Sequence, residues 1–119
     1  MPERIAGPTV IESAGNLPKR IEEYVGRVNT GDGGLSIARM RSRQGWEEPA
    51  QTPEFDEYTL VLSGSLRIDH DGGSTDVSAG QAILTSAGER IRYSTLAACE
   101  YIAVCLPAFT PGRVQREDE

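Results

Sequence analysis

The sequence predicts an all-β fold, a sandwich or a barrel. Three observations carry that prediction. Short runs rich in β-branched and aromatic residues follow one another from Leu35 to Leu106; turn residues stand between them at Ser63-Gly64, Asp71-Gly72-Gly73, Ala79-Gly80 and Ala87-Gly88; and apolar side chains alternate with polar ones inside the clearest runs. Turn chemistry at intervals of about eight to twelve residues marks many short strands joined by tight connections.

Residues 1 to 34 form an extension ahead of this ladder. Pro8 to Ser13 has the makings of a short strand, and Lys19 to Val28 places Ile21, Tyr24, Val25 and Val28 at helical spacing. That period covers barely two turns, so a helical turn and an extended wrap over the barrel both stay open. Lys19, Arg20, Glu22 and Glu23 read as a solvated edge. Thr30-Gly31-Asp32-Gly33-Gly34 closes the extension with permissive backbone. Strands are then expected over Leu35 to Arg43, Glu54 to Leu62, Ser65 to Asp71, Ser74 to Val77, Gln81 to Thr85, Arg90 to Thr95 and Glu100 to Leu106. The barrel body spans 35 to 110. Residues 111 to 119 form a charged tail whose end, Arg116-Glu117-Asp118-Glu119, reads as solvated. Trp46, beside Glu47 and Glu48, is expected as a rim aromatic packed on the body.

With 119 residues the chain is one domain. Twelve Lys and Arg against 18 Asp and Glu give a charge of 12 − 18 = −6. Nucleic-acid affinity comes largely from cations that displace phosphate counterions, so nucleic acid is set aside as a partner. The apolar run from Tyr101 to Leu106 is far short of the roughly 20 residues of a membrane span. The MPERIAGPT start has no apolar signal core, so no membrane association and a cytoplasmic location are expected. Cys99 and Cys105 share one strand, roughly 20 Å apart at full extension, and cannot pair with each other. They are expected as small buried thiols.

The alternation of two assigns faces. Phe55, Glu57, Thr59 and Val61 lie together, with Asp56, Tyr58, Leu60 and Leu62 opposite. Both faces are largely apolar, so this strand should line an interior and also be covered outside, by the N-terminal segment or a second subunit. Ile91, Tyr93 and Thr95 share an inward face, with Arg90, Arg92 and Ser94 outside. The parity of Arg39, Met40, Arg41 and Tyr101 stays open.

Spacing within and after this region is distinctive. Gly45 is followed after five residues by Gln51, then Pro53, then Glu57 after three more, then Gly64 after six. Later, Gly80 is followed by Ser86, Gly88, Ile91 and Thr95 at intervals of five, one, two and three residues. Both frames resemble the two motifs of the cupin superfamily, whose metal-binding members place histidines where this chain has Gln51, Pro53 and Ile91, and a glutamate at Glu57. PEFDEYTLVLSG and GQAILTSAGERIRYST are similar to small single-domain bacterial cupins of the ethanolamine-utilisation type. The resemblance covers about Leu35 to Pro107. It implies a double-stranded β-helix, a jelly-roll barrel with the N-terminal extension covering it, and a homodimer.

The site is read on that frame. Glu57 remains a good ligand, Gln51 is a weak neutral one, and Pro53 and Ile91 offer no side-chain donor, so no metal and no cofactor are expected. His70, the single histidine, sits in DHDGG at a hairpin end, away from the site. A lone carboxylate in an apolar barrel is driven toward its neutral form and into the range useful for proton transfer. Glu57 is therefore the candidate catalytic residue and Tyr93 a second one. Gln51, Pro53, Phe55, Thr59, Ile91 and Tyr101 are the expected pocket. Three functions stay open: a metal-independent cupin that binds a small molecule and uses Glu57 as general acid or base in an isomerase, lyase or cyclase; a non-catalytic ligand-binding or structural cupin; and a metal-dependent enzyme with an unusual Glu57 and Gln51 site.

Overall fold

The computed structural model describes residues 1 to 117. Nine strands form two antiparallel sheets. In chain order they are β1 (Thr9–Ile11), β2 (Lys19–Val25), β3 (Ser36–Ser42), β4 (Asp56–Ser63), β5 (Ser65–His70), β6 (Gly73–Ser78), β7 (Ala82–Thr85), β8 (Arg92–Ser94) and β9 (Cys99–Leu106), followed by a short helix α1 (Pro111–Val114). The larger sheet runs β1-β2-β3-β9-β4-β7 and the smaller β6-β5-β8. This is the all-β barrel that the strand ladder predicts, with boundaries shifted by one or two residues.

The undecided Lys19 to Val28 segment resolves into a strand. β2 pairs with β1 on one side and β3 on the other, so the sheet takes its backbone hydrogen bonds in place of a helix. Its period of two turns Lys19, Ile21 and Glu23 inward opposite Ser42, Met40 and Ala38 of β3. The expectation of a solvated edge is therefore corrected: Glu22 and Glu23 are buried. Two N–H groups, of Val28 and Asn29, donate to Glu23 Oε2 at 3.0 Å each, and Glu22 stands among Arg20, Arg39 and Arg41 on the outer side.

The interior follows from alternation. Val61 on β4, Leu66 and Ile68 on β5, Val77 on β6, Tyr93 on β8 and Tyr101 on β9 pack with Trp46 and Ile91 between the two sheets. A second cluster joins Phe55, Cys105 and Val114 of α1, with Phe109 edge-on to Phe55 at 6.1 Å between ring centres. At the β4–β5 turn Gly64 has φ +77°, and a Cβ there would run into the Ala98 carbonyl, so the turn needs glycine twice over. The end of the chain is docked as far as Glu117. Thr52 and Glu54 donate backbone N–H groups to Gln115 and Arg113, and Glu117 donates to Ala50. Arg116 and Glu117 are exposed, as the solvated reading has it, while their backbone is tied to the irregular stretch before β4. Asp118 and Glu119 lie outside the described residues. No described helix is long and apolar enough to cross a membrane.

Candidate functional site

Register builds the site around Glu57. Across the larger sheet Ser36, Cys105, Glu57 and Thr85 stand in one row. The side chain of Glu57 points into the barrel, 9% exposed. Cys105 Sγ donates to its Oε1 at 3.6 Å and Thr59 Oγ1 to its Oε2 at 3.4 Å, both long contacts. Burial raises its pKa; the positive charge of Lys19 and the neighbouring Cys105, Thr59 and Tyr93 offset part of the rise. Tyr93 shares a 2.9 Å hydrogen bond with Thr85, and burial lifts its phenol well above the ordinary value.

Three further polar groups meet Glu57 in one cavity. Gln51 is held by reciprocal 2.8 Å backbone hydrogen bonds with Ile91, and its buried Oε1 has no hydrogen-bond partner among the described residues. Glu48 is 6% exposed. Burial lifts its pKa to about 7 against the opposing charges of Lys19 and Arg116, and the Arg116 guanidinium stands 3.7 Å from its Oε2. Lys19 reaches in from β2, its ammonium 3.9 Å from the ring centre of Trp46 and 5.2 Å from that of Tyr101. Among the described residues it makes no hydrogen bond and no ion pair within 4.0 Å. Burial lowers its pKa, against the raising effect of Glu48 and Glu57. The free space in this partly open cavity measures about 50 Å³. At about 10–15 Å³ per water this is room for a few waters or a ligand of a few heavy atoms.

Of the residues expected in the pocket, Gln51, Phe55, Glu57, Tyr93 and Tyr101 line the cavity. Pro53, Thr59 and Ile91 are buried outside its lining, Ile91 in the main apolar cluster. Met40 faces the cavity, whereas Arg39 and Arg41 point outward to Glu22 and Glu100. Trp46 lies fully inside, not on a rim. Cys99 and Cys105 are free and buried. His70 sits at the β5–β6 hairpin, its ring bonded to Thr75 and to the Gly72 N–H.

Lys19, Glu48 and Arg116 were not legible as site residues. One signal was present for the first: Lys19 is the single lysine of the chain, the other 11 of 12 cationic side chains (12 − 1) being arginines. Among the described residues no group of three or more His, Cys, Asp and Glu side chains is placed to hold a metal ion.

Two antiparallel sheets closed over a cavity, with the glutamate of the first motif directed inward from β4, define a cupin-type barrel. The chain belongs to the AraC-binding-like domain family, whose model matches residues 4–119. It is 47% identical over 101 residues to the endoribonuclease YbeY of Myxococcus xanthus, a match covering 83% of this chain and 34% of that protein. It is 31% identical over 81 residues to the acetate kinase EutQ of Escherichia coli, covering 66% of this chain and 34% of that one. The chain thus spans about a third of the length of these two curated relatives. The polyketide cyclase RemF from Streptomyces resistomycificus superposes with a TM-score of 0.77 over 100% of this chain and 87% of its own, at 17% identity, a likeness of fold.

Proposed function

We propose that the protein binds a small organic molecule in the barrel cavity and moves a proton on it, with Glu57 as the general acid or base and without a resident transition metal. The observation that carries this reading is the pairing of Glu57 with Glu48, two buried carboxyl groups lining one cavity whose burial raises both pKa values. A carboxyl that titrates near the working pH gives and takes protons with little penalty. Two of them with unequal surroundings supply an acid and a base together. Such a pair serves an isomerase, a lyase or a cyclase. The free space of about 50 Å³ favours a substrate of few heavy atoms, and the unpartnered Gln51 Oε1 is an acceptor for one of its N–H or O–H groups.

Metal independence is supported by the donor set. Of the four positions that hold metal in metal-binding cupins, only Glu57 carries a strong donor here, Gln51 carries a weak one, and Pro53 and Ile91 carry none. The Lys19 charge in the same cavity opposes a second cation.

The test is exchange of carbon-bound hydrogen for deuterium in heavy water, followed by proton NMR over a panel of small ketones, keto acids and β-dicarbonyl compounds. Accelerated exchange on one member, lost in Glu57→Gln while the fold is kept, is the expected result. Exchange that survives Glu57→Gln, or a panel on which the protein does nothing, overturns proton transfer and leaves a ligand-binding or structural barrel.

The protein is further read as a homodimer through the outer face of β4. Tyr58, Leu60 and Leu62, with Leu84 of β7 and Leu106 of β9, are 41–48% exposed there. Register places Leu84 beside Tyr58. The N-terminal strands do not cover this face, since they extend the sheet beyond β3. An uncharged patch on a chain of charge −6 is the part that meets a second copy without bringing like charges together.

A further inference from the structure

We infer that Lys19 is a carbonyl-reactive amine that forms an imine with a small aldehyde or ketone held in the cavity. The inference uses the same cavity as the proton-transfer reading but does not depend on Glu57.

Three observations carry it. The chain has one lysine, and the fold places that one on the cavity wall. Arginine stays protonated at any working pH; lysine is the cation that gives up its proton when buried, which makes it a nucleophile. Second, Lys19 is not committed to a structural partner. No carboxylate among the described residues lies within ion-pair distance, and its neighbour is the indole face of Trp46, which holds a cation by only about 0.5–2 kcal/mol. Burial shifts the amine toward its neutral form. Third, the groups needed for dehydration line the same space. Glu48, half protonated near pH 7, is the proton donor for a departing hydroxyl, and Glu57 stands by as a second.

The step balances without a further reactant. The Lys19 ammonium first passes a proton to the ionised Glu48; neutral Nζ then attacks the carbonyl carbon, and one of its N–H protons moves to the oxygen, giving a neutral carbinolamine. Glu48 then protonates the hydroxyl, the C–O bond breaks, water leaves, and the nitrogen lone pair forms the C=N bond. In total, an ammonium and a carbonyl compound become an iminium and water. The volume of about 50 Å³ limits the carbonyl compound to a few heavy atoms unless side chains move.

Acetaldehyde with cyanoborohydride at pH 7 tests this on the whole chain, because reduction traps an imine as an N-ethyl amine read by peptide mass. Two amines compete, Lys19 and the chain's α-amine. An ordinary lysine, more basic than an α-amine by about 2.5 pKa units, would label roughly a hundredfold more slowly. The expected result is Lys19 labelled at least as fast as the α-amine, with the label absent in Lys19→Arg while α-amine labelling is unchanged. Deuterium exchange by the protein without aldehyde or cyanoborohydride reads proton transfer on its own, so either reading can fail while the other stands. The inference is overturned if the α-amine labels more than about tenfold faster than Lys19.

Discussion

Lys19 and Trp46 are stacked, the ammonium 3.9 Å from the centre of the indole ring, and the same indole donates its Nε1–H to the Ala14 carbonyl at 3.1 Å. One aromatic residue from the segment before β4 therefore meets the N-terminal extension at two points, and the hydrogen bond to Ala14 is the one that anchors it. Gly15 makes the approach feasible: its φ is +119°, and a Cβ there would collide with Nε1.

Trp46→Phe removes the hydrogen bond and part of the ring while keeping an aromatic under Lys19. It should cost about 1–2 kcal/mol, with Trp46→Ala costing about 3–5 kcal/mol by opening a cavity in the main cluster. Urea unfolding at pH 7 measures both. Equal stability of the Ala variant and the unaltered protein would show that the extension is not anchored there.

The stability of the protein should fall as pH rises from about 4.5 to about 7, and Glu48 should be a main cause. Its folded pKa, about 7, lies above the ordinary 4.5, so the native state holds a proton that the unfolded chain has released across that window. Stability from this group is full below pH 4.5 and lost as pH climbs through 7. The difference amounts to an upper value of about 3 kcal/mol. Glu57, raised for the same reason, adds in the same direction. Lys19 acts in the opposite sense on the alkaline side. Its folded pKa is lowered, so the native state holds less proton and gains stability as pH rises toward 10.5. Glu48→Gln should therefore flatten the curve between pH 5 and 7.5, as measured by urea midpoints. A curve as steep as that of the unaltered protein would place the titration elsewhere.

Elemental analysis of the purified protein after incubation with iron, manganese, nickel, copper and zinc, then gel filtration, should find less than stoichiometric metal. Glu57 and Gln51 offer one strong donor and one weak one, and outcompeting water takes three or four. Retention of one metal per chain would overturn the metal-free reading and direct attention to donors beyond these two.

The barrel was legible because strand signals are local. Alternation from Phe55 to Val61 and the turn glycines mark β4 as a strand and sort its side chains into two faces without knowledge of any other strand. Parity grouped Glu57 with Phe55, Thr59 and Val61, and the spacing of the first motif marked that face as the inner one. What the sequence did not disclose depends on register between distant segments. Lys19 stands four residues before Glu23 in a stretch whose apolar residues also suit a helix; only pairing with β3 turns both inward. Glu23 reads as a surface charge until two backbone N–H groups from the following loop are seen to need it. Glu48 and Arg116 lie in irregular segments, where no period exists to assign a side, and meet because the end of the chain runs back along residues 50 to 54.

The last prediction concerns the outer face of β4. Leu60 is 44% exposed and pairs in register with Ala82 on one side and Ile102 on the other, so it sits inside the apolar rows rather than at their margin. In the dimer proposed above, Leu60→Glu would place a charge from each copy near the two-fold axis, where desolvation and like-charge repulsion both oppose association. In the isolated chain the same side chain points to solvent, so the folded monomer should tolerate it within about 0.5 kcal/mol. Light scattering after gel filtration should give twice the chain mass of 12.9 kDa for the unaltered protein and a single chain for Leu60→Glu, with the circular dichroism of the two alike. A single-chain mass for the unaltered protein would remove the dimer; a dimer that survives Leu60→Glu would move the interface to another face.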